Sequence, residues 1–469
     1  MPSNASSFRS VLVSIRGFVR RIALCAVLIQ CLVACGGGGG DSQEPPPDGT
    51  PVITQFEADR ANYFIGERAR MTVRFTGGTG RLQPGNIAVQ NGETVESLRL
   101  GYGSNQLELT VTNGALSTAR TITIQTAYRE QMRSIDAPFA RAEHAAVRLT
   151  DGRVLIIGGE DAGTILPSSL WVFDPISDSF SAFGAELSTG RVGFIAIWLT
   201  DGTVLVAGGQ QGLTGAPSAE IIRPTVPSVA PTVGALIHPR TSAAATLLMD
   251  GRVFISGGTS LVASDSVEIY DPTTGTFTLL PGRLAVGRYG HTAVRIDERR
   301  VFIFGGFTLT SLPAPPELYD PIAASSTALP AAEPNSRGGH AAHTMQDGGV
   351  LIVGGENDDA IPLSTVLRFN PASNAITPFA NLATPRSLFA LGRLGDARIL
   401  VAGGVKGQSQ SDITDTTETL ALDATRRNGP DMARARWLHT VTPLVDGRLL
   451  IVGGLGPDRL PLNTAELYE

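Results

Sequence analysis

Cysteine is missing from the chain beyond residue 35: Cys25, Cys31 and Cys35 are the whole complement. Disulfides and cysteine-bound zinc are therefore excluded from everything downstream. Lysine is almost as scarce. Lys406 is the only one, so nearly all positive charge is arginine and Schiff-base chemistry has little to draw on. The formal net charge is -6. It provides no basic surface for nucleic acid and no acidic block of the kind that keeps a segment disordered. The apolar run Ile22–Ala34 has thirteen residues, broken by Gln30, too few to cross a bilayer as a helix. No Ser-His-Asp order, zinc-ligand spacing or Gly-rich loop opening a helix stands out. What the chain has is length and apolar content: 469 residues, 42% of them hydrophobic, enough for a large core and more than one domain.

Residues 1–34 read as an export signal. Arg9, Arg16, Arg20 and Arg21 precede the short apolar run, the order of an n-region and an h-region. The run ends in Leu32-Val33-Ala34-Cys35. This resembles the lipobox of bacterial lipoproteins, which implies lipidation at Cys35 and attachment to a membrane through the lipid alone. Gly36 follows the cysteine where an Asp would imply retention at the inner membrane, so the resemblance points to the outer membrane of the cell envelope. Residues 35–50 run from five glycines to Pro45-Pro46-Pro47, a flexible segment followed by a stiffer spacer.

Residues 51–126 read as short strands. Met71–Phe75, Leu107–Val111 and Thr121–Ile124 alternate apolar with polar residues, and Gly77-Gly78, Asn91-Gly92 and Asn113-Gly114 separate them. About 75 residues of this pattern suggest a small antiparallel sandwich. It looks like the Ig-like modules of exported bacterial proteins, and a spacer or stalk is its expected role.

From residue 127 to 469 a single motif recurs. Asp151-Gly-Arg-Val-Leu-Ile-Ile-Gly-Gly159 is a tight turn, a buried strand and a glycine pair. The pairs are Gly158-Gly159, Gly208-Gly209, Gly257-Gly258, Gly305-Gly306, Gly354-Gly355, Gly403-Gly404 and Gly453-Gly454, spaced 50, 49, 48, 49, 49 and 50 residues apart. A period near 50 made of strand patterns signals a propeller. Seventeen residues before the first glycine of each pair stands an arginine: Arg141, Arg191, Arg240, Arg288, Arg337, Arg386 and Arg436. Seven residues before it stands an acid: Asp151, Asp201, Asp250, Glu298, Asp347, Asp396 and Asp446, expected to form the hairpin turn. A third strand ends in Tyr-Asp-Pro, as at Tyr270-Asp271-Pro272 and Tyr319-Asp320-Pro321, and a fourth follows. Copies two and six depart from this, with Ile222-Arg223-Pro224 and Leu422-Asp423-Ala424. Copy seven reaches only a third strand at Glu466–Glu469. The segment from Tyr128 to about Ala137 belongs to no other copy, so it is expected to supply the missing strand and close the ring.

Gly-Gly, Tyr-Asp-Pro and four strands per unit resemble the kelch repeat. The resemblance implies an all-β fold: a seven-bladed kelch propeller preceded by the small sandwich. It also implies ligand binding on the face where the loops after Gly-Gly emerge. Those loops differ between copies, as variable loops on a rigid scaffold do where specificity sits. The expected function is binding of a protein or glycan at the cell envelope by a monomer. The alternative is a carbohydrate-active enzyme, such as a sialic acid mutarotase-like epimerase. Galactose oxidase resembles the chain in fold and export, but its radical cofactor needs a cysteine bonded to a tyrosine, and the propeller has no cysteine. No cofactor or metal is expected.

Two columns are candidates for the ligand face. The seven arginines are expected to be structural, each guanidinium hydrogen-bonding carbonyls between blades. His144, His291, His340 and His439 stand fourteen residues before their glycine pairs, where the other copies have Phe194, Ala243 and Phe389. His439 should neighbour His144, and His291 should neighbour His340, across the channel mouth. Such pairs could hold a metal or an anion; without a recurring carboxylate nearby, a repeat-packing role is the stronger expectation.

Overall fold

The structure is a computed structural model and describes residues 49–163, 165–211, 214–308, 314–330, 337–409 and 411–469. The export signal 1–34, the lipidation residue Cys35 and the spacer up to residue 48 lie outside the described residues. Residues Gly49–Glu469 form one compact unit, and every regular element in it is a strand.

The first part is two packed sheets. Val52–Ala58, Arg68–Thr76 and Thr94–Arg99 form one; Asn62–Phe64, Leu116–Ala127, Gly103–Asn113, Thr79–Gln83 and Ile87–Val89 form the other. Alternation decides what is buried. Ala69, Met71, Val73 and Phe75 of one strand face Leu107, Leu109 and Val111 of the opposite sheet in a single core, as period-two patterning requires.

The rest is seven four-stranded sheets and one short two-stranded ribbon, Gln210–Gln211 with Thr214–Gly215. In each of the seven, an innermost strand pairs with the strand before the glycine pair in the same register: Ala145 opposite Ile157, Ala244 opposite Ser256, Thr440 opposite Val452. The innermost strands contact one another in sequence order, and Ala145–Arg148 contacts Thr440–Pro443, so the sheets stand in a closed ring. The four-residue apolar runs are explained by this ring. Val154 and Ile156 pack against Leu450 and Val452 of sheet seven, whereas Leu155 and Ile157 pack against Val204 and Val206 of sheet two. Each second strand is covered on both faces, so it has no polar face to keep. Copies two and six form complete sheets despite their divergent third strands.

Sheet seven takes its outer strand from ahead of sheet one. Met132–Asp136 pairs antiparallel with Thr464–Tyr468, and Gln131 and Glu469 exchange backbone hydrogen bonds of 3.2 and 3.1 Å. One turn differs from the sequence expectation. In copy four the amide of Arg299 is accepted by Asp297, not by the aligned Glu298; in copy one the equivalent acceptor is Asp151.

The sandwich is docked on the hairpin side of the ring. Tyr128 donates to the Gly447 carbonyl (2.9 Å), accepts from the Gly395 amide (2.6 Å) and stacks on Tyr102. Asp178, in the turn before the fourth strand of sheet one, gathers three arginines: Arg99 of the sandwich at 2.9 Å, Arg133 of the closing strand at 2.6 Å and Arg448 of sheet seven at 3.0 Å. One carboxylate thus ties three parts of the fold. Replacing it leaves the fully buried Arg448 paired with Asp446 (2.8 Å) but takes the shared carboxylate from all three arginines. Asp178→Asn is expected to lower the unfolding free energy by about 2 kcal/mol, since a largely buried, hydrogen-bonded charge contact is lost. The exposed Asp151–Arg153 pair should give Asp151→Asn less than about 1 kcal/mol. Urea unfolding of the two variants checks the difference; equal midpoints would show that Asp178 ties nothing.

Candidate functional site

The arginine column is an interior scaffold. In six copies Nη1 donates to the carbonyl of the first glycine of its own pair, as Arg191 does to Gly208 (2.9 Å) and Arg240 to Gly257 (2.7 Å). The bond between blades is made by the arginine backbone instead: the second glycine of the preceding copy donates its N–H to the arginine carbonyl in all seven, at 2.8–3.0 Å. This corrects the expectation that the guanidinium itself bridges blades. It also explains the first glycine of the pair. A Cβ there would lie 2.1 Å from the Arg141 carbonyl at Gly453 and 2.4 Å from the Arg288 carbonyl at Gly257, with φ near +60° in both, a conformation that also suits glycine.

A second column escaped the sequence reading. Glu220, Glu268, Glu317, Glu418 and Glu466 pair with Arg191, Arg240, Arg288, Arg386 and Arg436 at 2.5–2.8 Å, all nearly or wholly buried. Each also accepts a backbone amide from the incoming segment, for example Ile237 and His238 on Glu268. The signal was present: a Glu stands two residues before the Tyr of Tyr-Asp-Pro in Glu268-Ile-Tyr, and one more in Glu317-Leu-Tyr. In copies one and five Trp171 and Leu367 hold that register position. Arg141 turns to the Ala140 carbonyl and the Ser169 hydroxyl, with Asp161 at 3.7 Å. Burial pulls the Arg337 guanidinium down to about 10.

The four histidines are wedges between blades. Beside Gly305 the nearest side-chain atom is Cε1 of His340, and beside Gly355, in the histidine's own copy, it is the Cβ of His340. Phe194 and Phe389 fill the same gap in copies two and six. Nε2 of His144 bonds Thr440 Oγ1 (2.9 Å), His340 bonds Thr292 Oγ1 (2.9 Å) and His291 bonds Ser256 Oγ (2.8 Å). His439 has Ala390 and Ala402 where the others find hydroxyls, and neither of its ring nitrogens makes a well-formed hydrogen bond. Burial pulls His144 and His340 down to about 3, and His291 and His439 well below the usual value. These rings are neutral packing groups. Among the described residues no three His, Cys, Asp or Glu side chains converge to hold a metal. A test follows from the Phe at equivalent positions. His439→Phe is expected to stabilise the fold by about 1 kcal/mol by removing unpaired buried nitrogens. His291→Phe is expected to cost about 1 kcal/mol by leaving buried Ser256 without its partner. Urea unfolding distinguishes them; the same sign for both would refute the wedge assignment.

One residue before each wedge, the backbone turns left-handed in all seven copies: Glu143, Gly193, Ser242, Gly290, Gly339, Leu388 and Leu438 have φ between 52° and 62°. Five of them donate N–H to the carbonyl of the equivalent residue in the preceding copy: Ser242 to Gly193, Gly290 to Ser242, Leu388 to Gly339, Leu438 to Leu388 and Glu143 to Leu438. The seven positions are the floor of an axial cavity of about 620 Å³ on the loop face, lined by residues of all seven copies. Tyr289, Phe307, Trp437, Leu388 and Leu438 supply aromatic and aliphatic wall. Glu143 is the one carboxylate there, and no arginine or lysine lines the cavity. Burial by the surrounding walls, then the nearby Glu160, hold the Glu143 carboxyl above the usual range; burial raises Glu160 as well. Gly and Ser residues at this offset were the available signal, but the side chains vary too much to read as a column.

Residues 240–282 match the family model described as the Kelch motif. No curated protein matches significantly. Among solved structures, the chain is similar to a fungal alcohol oxidase of the AA5 family, described as having catalytic diversity and solved in complex with copper. The identity is 15%, the TM-score 0.61, and the match covers 72% of this chain and 75% of that one. The likeness establishes the propeller fold, within which residues 240–282 carry the Kelch motif. The copper is that protein's; the axial residues here, four wedged neutral histidines and one carboxylate, do not fit such an ion.

Proposed function

We propose that this protein is an exported, lipid-anchored propeller that binds a protein or glycan ligand at the cell envelope, through the axial cavity and the variable loops around it. One observation carries the reading. All seven copies bring the same backbone position to the cavity floor, yet the side chains there are Glu, Gly, Ser, Gly, Gly, Leu and Leu. A constant scaffold presenting unlike side chains to a cavity of about 620 Å³ suits recognition of one small ligand or one inserted residue. Leu388 and Leu438 show that a large side chain is accepted at this position, so Ser242→Leu should fill the cavity and leave the fold intact. On a glycan array and in pull-downs with envelope extract, the full chain is expected to retain a ligand that Ser242→Leu loses at least tenfold. Unchanged retention would refute the axial site. The anchor has its own test: fatty-acid label on the wild type and none on Cys35→Ala.

A second reading rests on the adjoining carboxyls Glu143 and Glu160, both raised, which is how acid–base pairs in glycan-active sites are poised. A mutarotase-like epimerase would speed the anomeric exchange of a sugar, and Glu143→Gln would abolish the acceleration seen by proton NMR. The absence of a lining base favours an uncharged sugar over a sialic acid as its substrate.

A further inference from the structure

Resting on the axial cavity as the binding site, we infer that it takes a ligand with a cationic group, an ammonium carried on a hydroxylated, sugar-like ring, with Glu143 as counter-ion. The inference starts from charge. The chain has 37 basic residues, and its enclosed carboxylates use them: Glu220, Glu268, Glu317, Glu418 and Glu466 each hold an arginine, and Asp178 holds three. Glu143 is different. Its carboxylate has neither an ion pair nor a hydrogen bond among the described residues, although Arg141 stands two residues away and turns to Ala140, Ser169 and Asp161. Glu160 beside it is likewise without a side-chain partner, and a second cavity of about 760 Å³ joins the two carboxylates to Ser188, Thr189 and Gln210, again with no base in its lining. The surrounding histidines are neutral and bring no positive charge. Glu143 stands exposed to the cavity, so an incoming cation can pair with it without first displacing a protein partner.

The walls supply the rest of the description. Tyr289 and Phe307 stand together with ring centroids 5.6 Å apart. They belong to copy four, across the ring from Glu143 of copy one. An aromatic pair accepts the C–H face of a sugar ring, and aromatic faces also favour a nearby cation. Trp437 lines the cavity at 5% exposure and adds apolar wall. Counter-ion and stacking face together describe an amino sugar better than a neutral or acidic one.

Four sugars of one ring size test this by calorimetry on the full chain in detergent: glucosamine, glucose, N-acetylglucosamine and glucuronate. Glucosamine is expected to bind at least tenfold tighter than glucose or N-acetylglucosamine, with glucuronate weakest. Glu143→Gln, with an unchanged urea midpoint, should erase the preference and leave glucose affinity within about twofold. Equal binding of glucosamine and glucose, or a preference that survives Glu143→Gln, overturns the charge assignment while the axial site stands. If the acetylated or acidic sugar binds best, the assignment likewise fails and the axial site stands. Binding that Ser242→Leu does not weaken removes the axial site itself.

Discussion

Between pH 7.5 and pH 5 the full chain is expected to lose several kcal/mol of unfolding free energy. The main cause is the four wedged histidines; His343, also lowered by burial, adds in the same sense. Each of the four is neutral in the fold, with its folded value pulled well below the ordinary one: to about 3 for His144 and His340, and in the same direction for His291 and His439. In the unfolded chain each titrates near about 6.5. Below that value the unfolded state binds protons that the folded state refuses, so stability rises with pH across the window and falls as pH drops from about 6.5 towards 3. Each histidine contributes up to about 1.4 kcal/mol per pH unit, or about 2 kcal/mol by pH 5. Four together reach about 8 kcal/mol, comparable with the whole stability of an ordinary domain. Carboxylates do not account for this window. The lowered groups Asp151, Asp250, Asp297 and Asp320 cost stability only below about pH 4. The raised Glu143, Glu160 and Asp446 act in the opposite sense, favouring the fold as they protonate. Urea midpoints at pH 7.5, 6.5, 5.5 and 5 measure the slope. Changing His144 and His439 together to Phe, the residue that fills this gap in copies two and six, should halve it. A midpoint that does not move between pH 7.5 and 5.5 would mean that these rings protonate in place.

What could be read in the sequence divides by range. The period near 50, the apolar run before each Gly-Gly and the turn acid are local, so seven copies made them visible. The destination of Met132–Asp136 could be inferred because sheet seven lacked a strand and no other copy claimed that segment. Pairings across the register were not legible. Glu268 reaches Arg240 because the third strand places it opposite Ile255, and that register is a property of the sheet. The cavity floor was hidden for another reason: what recurs there is a left-handed backbone, which Gly193, Ser242 and Leu388 adopt alike. Side-chain chemistry does not report it. The docking of the sandwich was not legible because it depends on Tyr128 and Asp178, single residues outside any repeated pattern.

Proline at Ile135 is expected to destabilise the ring by about 3 kcal/mol, whereas proline at the neighbouring Ser134 should cost less than about 1 kcal/mol. The difference follows from the phase of one ladder. Gln131 and Glu469 exchange N–H to carbonyl bonds in both directions, so they form a hydrogen-bonded pair. Antiparallel pairs alternate, and the register runs without a shift from Met132 opposite Tyr468 to Asp136 opposite Thr464. The pairs Arg133–Leu467 and Ile135–Ala465 are therefore hydrogen-bonded, while the N–H of Ser134 points away from the sheet. At Ser134 a proline loses no ladder bond, which is the position an outermost strand tolerates. At Ile135 it removes a donor and leaves the carbonyl of the fully buried Ala465 without a partner, about 1–3 kcal/mol. It also trims a side chain that packs against Phe173, Leu450 and Leu467 between sheets one and seven, about 1 kcal/mol more. Because this strand joins the two ends of the ring and leads directly from the sandwich, the loss should spread. Sheet seven would be left with an open edge, and the Arg133 contact to Asp178 would be lost with it. Urea unfolding of Ile135→Pro should show a lower midpoint and a shallower slope, the sign of an opened ring unfolding in parts; Ser134→Pro should retain both. Equal effects of the two prolines would mean that the ring closes without this strand.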